Sequence, residues 1–170
     1  LRVAVNCAGI GLGARILGKN GVHDFAAYTS VITVNLIGTF QVLALAAEAI
    51  AQTDPVDDDG QRGVIINTAS VAAYEGQIGQ AAYSSSKGGV VGLTLPAARD
   101  LASKGIRVNT IAPGIVDTPM MKGVDGEFRA QLEKSVPFPH RLAKPVEYAE
   151  LAMDIIGHDY LNGQVTRMDG

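Results

Sequence analysis

An α/β domain, a parallel sheet covered by helices on both faces, is the fold class that this sequence predicts. Four short apolar runs rich in β-branched residues occur at Leu1–Val5, Gly63–Thr68, Ile106–Ile111 and Gly163–Met168. Their length and content are those of buried parallel strands. Stretches with three- and four-residue apolar periodicity separate them, so strands and helices alternate from end to end. The chain has 170 residues, 47% of them hydrophobic and 18% charged, which excludes a disordered polymer.

The elements follow in order. Leu1–Val5 ends at Asn6-Cys7-Ala8-Gly9, and Gly11, Gly13, Gly18 and Gly21 then mark a long loop. Asp24 is placed to cap a helix, although Ala27 is the wrong residue type to complete a capping box. From Phe25 to Ala51 the residues Val31, Val34, Asn35, Gly38, Val42, Leu45 and Ala46 recur at helical steps. Asp54–Arg62 is a polar turn, and Ser70–Gln80 is a loop of small and polar residues after the second strand. Ala81–Ser103 reads as a long helix that Pro96 should distort and Gly105 should end. Pro113-Gly114 is a turn. A variable stretch from Asp117 to Pro139 contains a short helix near Glu127–Lys134. Pro145–Ile156 is an amphipathic helix with proline in its first turn.

Lysine plus arginine number 14 and aspartate plus glutamate 17, a net charge of −3 without a basic run. That gives no electrostatic footprint for nucleic acid. The single cysteine, Cys7, excludes an internal disulfide framework and a cysteine-cluster zinc site. It fits a reducing compartment, and a cytoplasmic location is expected. No apolar run is expected to span a membrane, which needs roughly 18 residues. The chain opens directly on a strand, Leu1-Arg2-Val3-Ala4-Val5, so residues preceding it are expected.

The chemistry is carried by Tyr83-Ser84-Ser85-Ser86-Lys87. Tyrosine and lysine at i and i+4 share one helix face. A free phenol, with a pKa near ~10, is a poor base at neutral pH. A neighbouring ammonium favours the phenolate, and a tyrosine tuned in this way can exchange a proton with an alcohol or carbonyl. Such a pair alone is common on solvated helices; its context gives it weight. Ser70 follows a strand end thirteen residues earlier, where its hydroxyl can hold a substrate oxygen. Ligands in open α/β sheets bind beyond the carboxyl ends of the strands, which directs attention to Asn6–Gly9, Ser70 and Pro113–Thr118.

With these residues in place, the chain resembles the short-chain dehydrogenase/reductase family. Asn6-Cys7-Ala8-Gly9 is similar to that family's Asn-Asn-Ala-Gly motif, and Asn35 to its helix asparagine. Ser70, Tyr83 and Lys87 match its catalytic serine and Tyr-x-x-x-Lys, and Pro113-Gly114 with Thr118 its element beside the nicotinamide. Arg62–Ala73, Glu75–Tyr83 and Val136–Pro139 further resemble the 3-hydroxyacyl-CoA dehydrogenase type 2 branch, as does the cysteine at position 7.

The resemblance implies a Rossmann-type doubly wound parallel sheet forming one dinucleotide-binding and catalytic domain over residues 1–170. The family's first β–α–β unit, with its glycine-rich phosphate loop and the acidic residue that selects NAD over NADP, has no counterpart here. The domain is therefore expected to be incomplete at its N-terminus. The implied reaction is hydride transfer between NAD and a secondary alcohol or ketone, 3-hydroxyacyl-CoA above all. NADP is the alternative cofactor. The resemblance makes Tyr83 the acid/base. Lys87 lowers its pKa and bonds the nicotinamide ribose, Ser70 holds the substrate oxygen, and Asn35 holds a relay water. It assigns Asn6, Cys7, Ala8, Gly9, Tyr83, Lys87, Pro113, Gly114, Val116 and Thr118 to the cofactor, and the two long helices to a homotetramer interface. The competing readings are an NADPH-dependent 3-oxoacyl-carrier-protein reductase and a non-catalytic, scaffold-like member, the latter disfavoured by the presence of Tyr83 and Lys87.

Gln80, three residues before Tyr83, is expected to line the substrate pocket. Met120, Met121 and the stretch to Pro139 fall where the family places a mobile substrate lid. Cys7 is expected to pack as a small hydrophobe near the cofactor, without a redox role. His23, His140 and His158 lack metal spacing and are expected at the surface. Asp57-Asp58-Asp59 reads as a solvated turn rather than a calcium loop, and Asn109 as structural.

Overall fold

The computed structural model describes residues 1–19, 21–121 and 126–170. Its elements are β1 (Val3–Asn6), β2 (Leu17–Gly18), β3 (Gly21–Val22), α1 (Phe25–Ile32), α2 (Gly38–Ala51), β4 (Gly63–Thr68), α3 (Ala81–Ala102), β5 (Ile106–Pro113), α4 (Gly126–Ser135), α5 (Pro145–Gly157) and β6 (Val165–Met168). Strands β1, β4, β5 and β6 form one parallel sheet in that spatial order, with Val3 opposite Val64, Gly63 opposite Ile106 and Thr110 opposite Val165.

Strand alternation distributes the apolar residues to both faces. Ile65, Ile106 and Val108 pack under Leu43, Ala46 and Ile50 of α2 and Ala97 and Ala98 of α3. Val64, Ile66 and Ile111 pack under Ala152 and Ile155 of α5. The sheet is thus covered on both sides, as the sequence predicts.

The helix boundaries have local causes. Asp24 caps α1, its carboxylate accepting from the Ala26 N–H at 2.8 Å. Pro145 opens α5, where the Glu147 carboxylate accepts from the Lys144 N–H at 2.7 Å and from both ends of the Arg141 guanidinium. Gly105, at φ +68°, turns the chain after α3 within hydrogen-bonding reach of Ala102 O. It sits two residues beyond the cap, Ser103, rather than at it. Pro96 lies on the exposed side of α3, which runs through it from Ala81 to Ala102 without a break.

Four expectations are corrected. The glycine-marked loop contains a two-stranded hairpin, Leu17 opposite Val22, too short and exposed to leave a periodic signal. Residues 25–51 are long and apolar enough to cross a membrane, contrary to the sequence expectation. Here they lie along the sheet, with Val31, Asn35, Thr39, Leu43 and Ile50 turned inward. His23 is half-buried rather than at the surface, its ring edge-on to Tyr28 at 6.0 Å. Cys7 is exposed and not packed inside. His140 and His158 are exposed, and among the described residues no His/Cys/Asp/Glu cluster could hold a metal. Asp57 lies in a turn, accepting from the Gln61 main chain at 2.9 Å, and Asn109 braces Leu161 O and Gln164 N.

Candidate active site

The carboxyl ends of β1, β4 and β5 open onto one cavity of about 710 Å³. That volume is within the range of small-ligand sites. Ser70, Gln80, Tyr83, Lys87 and Thr118 all line it, as do Cys7 and Gly9 beyond β1, Pro113 at the end of β5, and Gly114 and Val116 just after it. Met121 lines it as well; the Met120 side chain and residues 122–125, part of the expected lid, lie outside the described residues.

Tyr83 and Lys87 are brought together by one turn of α3, the Lys87 ammonium standing 5.7 Å from the centre of the Tyr83 ring. Lys87 is only 4% exposed, and its Nζ donates to the Thr68 carbonyl at 2.8 Å. Burial lowers its pKa from 10.5 to about 8, partly opposed by Cys7. Burial raises the Tyr83 phenol above its ordinary value, while the Ser70 hydroxyl pulls the other way. The sequence expectation that Lys87 depresses the Tyr83 pKa differs from this arrangement, in which burial of the phenol dominates. Ser70 lies two residues beyond β4 in extended backbone and caps the short 3-10 turn Val71–Ala73, its Oγ accepting from the Ala72 N–H at 3.1 Å.

Asn35 is fully buried and sits in a π-helical turn, Thr33–Ile37, between α1 and α2. Such wide turns often mark functional sites. Its Oδ1 accepts from the Ile10 N–H at 2.8 Å, and its Nδ2 donates to Ile10 O at 2.9 Å and to Ser86 Oγ at 3.0 Å. Both amide donors are used, and the loop after β1 is clamped over Lys87. Asn6 donates to Asn67 Oδ1 at 2.8 Å, tying β1 to β4 at the same edge. Ala8 lies exposed on that loop.

The residues present fit the nicotinamide end of a dinucleotide. A Cβ on Gly9 would stand 3.3 Å from Asn35 Oδ1 and 3.6 Å from Lys87 Nζ, so main chain rather than side chain walls the space above the ammonium. On the far side, Gly114 is pinned by its N–H to Met168 O at 2.9 Å. Among the described residues, no glycine-rich strand-to-helix turn of the kind that cradles a pyrophosphate occurs.

Sequence reasoning missed Tyr148 on α5. Its phenol shares a 2.6 Å hydrogen bond with Thr68 Oγ1 and lies 3.9 Å from Cys7 Sγ, on the wall of the same cavity. The contact joins residues 80 apart in sequence, and no local motif announces it.

A family model described as short chain dehydrogenase matches residues 1–127. The 3-hydroxyacyl-CoA dehydrogenase type-2 of Bos taurus is 56% identical over 99% of this chain and 65% of its own length. That of Homo sapiens is 55% identical over the same shares. The crystal structure of 3-hydroxyacyl-CoA dehydrogenase type-2 from Mycobacterium avium superposes with a TM-score of 0.95 at 47% identity, covering 100% of this chain and 66% of that one. The chain therefore spans about 65% of the length of the curated mammalian relatives it matches. With the order and geometry of Asn6–Gly9, Asn35, Ser70, Tyr83 and Lys87 in place, these matches establish that the chain belongs to the short-chain dehydrogenase family.

Proposed function

We propose that this chain forms the catalytic part of a nicotinamide-dependent dehydrogenase that oxidises 3-hydroxyacyl-CoA with NAD. The observation that carries the reading is the convergence of Tyr83, Lys87 and Ser70 on one cavity at the carboxyl ends of parallel strands. The choice of substrate is supported by relatives named 3-hydroxyacyl-CoA dehydrogenase type-2 at 51–56% identity.

In the oxidative direction Tyr83 takes the proton of the substrate hydroxyl; in the reductive direction it returns it. Ser70 Oγ bonds the same oxygen and fixes it beside the phenol. The bound nicotinamide supplies the hydride acceptor. Lys87 offers its remaining N–H donors to the ribose and sets the local field. The Asn6–Gly9 main chain, with Pro113, Gly114, Val116 and Thr118, holds the ring and ribose. Asn35 acts through the loop it clamps, both donors of its amide being already committed. Gln80 and Met121 border the acyl side.

The exposed apolar residues Phe40, Val42 and Leu45 on the outer side of α2 support a homotetramer. We place the protein in the cytoplasm and in fatty acid metabolism. An NADPH-dependent 3-oxoacyl-carrier-protein reductase is the second reading, since the same residues serve either cofactor.

The test is formation of reduced cofactor by the full-length protein from 3-hydroxybutyryl-CoA, with NAD and NADP in parallel. Turnover with NAD that falls by about 10²–10⁴ in Tyr83→Phe is expected. Absence of turnover with either cofactor would overturn the substrate assignment.

A further inference from the structure

Thr68, the last residue of β4, carries two bonds that bear on the Tyr83–Lys87 pair. Its main-chain carbonyl accepts from Lys87 Nζ at 2.8 Å. Its hydroxyl shares the 2.6 Å bond with the Tyr148 phenol. Cys7 completes a ring: Thr68 Oγ1 donates to Cys7 Sγ at 3.7 Å, and Cys7 Sγ donates to the Tyr148 oxygen at 3.9 Å. With Tyr148 donating to Thr68, each group gives one proton and takes one, an arrangement in which hydrogen bonds reinforce one another. Burial pushes the Tyr148 pKa well above that of a free phenol, so the donor persists at every working pH. The aromatic ring packs on the Val64, Ile66, Ile111, Ala152 and Ile155 cluster, which makes α5 the anchored end of the chain of contacts.

A second tie places α5 at the site. Val116, in the loop after β5, pairs with Ala143, two residues before the helix begins, and the Asp117 N–H donates to Ala143 O at 2.8 Å. The first turn of α5 is therefore fixed against the cavity wall independently of Tyr148.

We propose that Tyr148 is a positioning residue: through Thr68 it fixes the carbonyl that holds the Lys87 ammonium, and so sets where that cation stands beside Tyr83. The inference rests on the reading of Tyr83 and Lys87 as the proton-transfer pair. A purely structural tyrosine would need only its ring, and phenylalanine would replace it without consequence for Lys87.

The variants are Tyr148→Phe, Thr68→Val and the double substitution in the full-length protein, with folding checked by circular dichroism. The first readout is the titration of Lys87 by NMR of ε-carbon-labelled lysine, assigned with Lys87→Met. The titratable groups facing Lys87 are Cys7 beyond β1, Tyr83 on its own helix and Tyr148 from α5. Glu75 on the cavity wall is engaged by Arg167 at 2.7 Å. A looser carbonyl stabilises the ammonium less, so the midpoint moves below the wild-type value of about 8 in each single variant. A fall of roughly 0.5 is expected, with no further fall in the double variant. The second readout is turnover: kcat falls roughly three- to tenfold in each single variant and no more in the double, with the KM for the acyl substrate little changed. An unchanged Lys87 midpoint in Tyr148→Phe, or effects of the two substitutions that add, would overturn the proposal. Absence of turnover in the wild type would instead overturn the assigned reaction, and the titration would still report whether Tyr148 governs Lys87.

Discussion

Replacing Lys87 by methionine should remove a rise in stability on the alkaline side of neutrality. Burial lowers the Lys87 pKa to about 8 from an ordinary 10.5, a difference of 10.5 − 8 = 2.5. At about 1.36 kcal/mol for each step of one, the folded state carries a cost of roughly 3 kcal/mol. The sign follows from proton counting. Below pH 8 both folded and unfolded chains hold the proton and the full cost is present. Between pH 8 and 10.5 the unfolded chain binds more protons, so stability rises with pH and the cost is relieved. Tyr83, whose pKa is raised, works in the opposite sense: above pH 10 the unfolded chain loses that proton first and stability falls.

The window that isolates Lys87 is therefore pH 8 to 9.5, over which the wild type should gain about 2 kcal/mol relative to Lys87→Met. The absolute stability of the variant is a poorer guide. Methionine deletes the buried charge but leaves the Thr68 carbonyl without its donor, and a buried unsatisfied group costs about 1–3 kcal/mol. Urea unfolding followed by circular dichroism, at fixed protein concentration and at several pH values, gives the slope directly. If the difference between the two proteins is flat from pH 8 to 9.5, Lys87 is not a strained buried cation.

Two further predictions concern α5. Glu147, bonded to Arg141 and to the Lys144 N–H, has its pKa lowered from 4.5 to about 2. Its contribution is fully present above pH 4.5 and disappears as pH falls towards 2, so Glu147→Gln should flatten the acid limb of a Tm-against-pH curve; an unchanged limb would refute this. Arg107, 7% exposed, donates to the carbonyls of Ile155 and Ile156 in the last turn of α5 and of Leu161 in the loop that follows. Arg107→Leu should cost roughly 2–4 kcal/mol in urea unfolding, because one buried and two partly buried carbonyls lose a charged donor together, and a loss under 1 kcal/mol would refute it.

What was legible in the sequence is what local chemistry announces. The four sheet strands are apolar runs of the right length; Asp24 marks a helix start by accepting from the helix N-terminus, and Pro145 marks one by its fixed φ and missing N–H. Ser70, Tyr83 and Lys87 sit at fixed offsets from strand and helix ends, so reading those ends was enough to bring them together. The hairpin at Leu17–Val22 was not legible because it is exposed and carries no alternation. The π-helical turn at Asn35 was not legible because its partner, Ile10, is a main-chain group 25 residues away. Arg107 read as part of a strand pattern, and only the packing of α5 shows which carbonyls it serves. Cys7 failed as a buried hydrophobe because it follows the strand rather than ending within it, where the chain turns out to the cavity.

Thr68 shows why such contacts matter to the site. Along a strand, successive side chains alternate between faces while the main chain is shared by both. The pair Tyr83–Lys87 belongs to α3, on one side of the sheet, and Tyr148 to α5, on the other. Neither helix needs to touch the other, because one strand-end residue presents its carbonyl to Lys87 and its hydroxyl to Tyr148. A shift of α5 against the sheet must then be felt at the ammonium through a single residue. The two helix layers of this fold are linked through Thr68 at the place where Tyr83 and Lys87 stand, and the packing of the layer that carries neither residue becomes a determinant of their geometry.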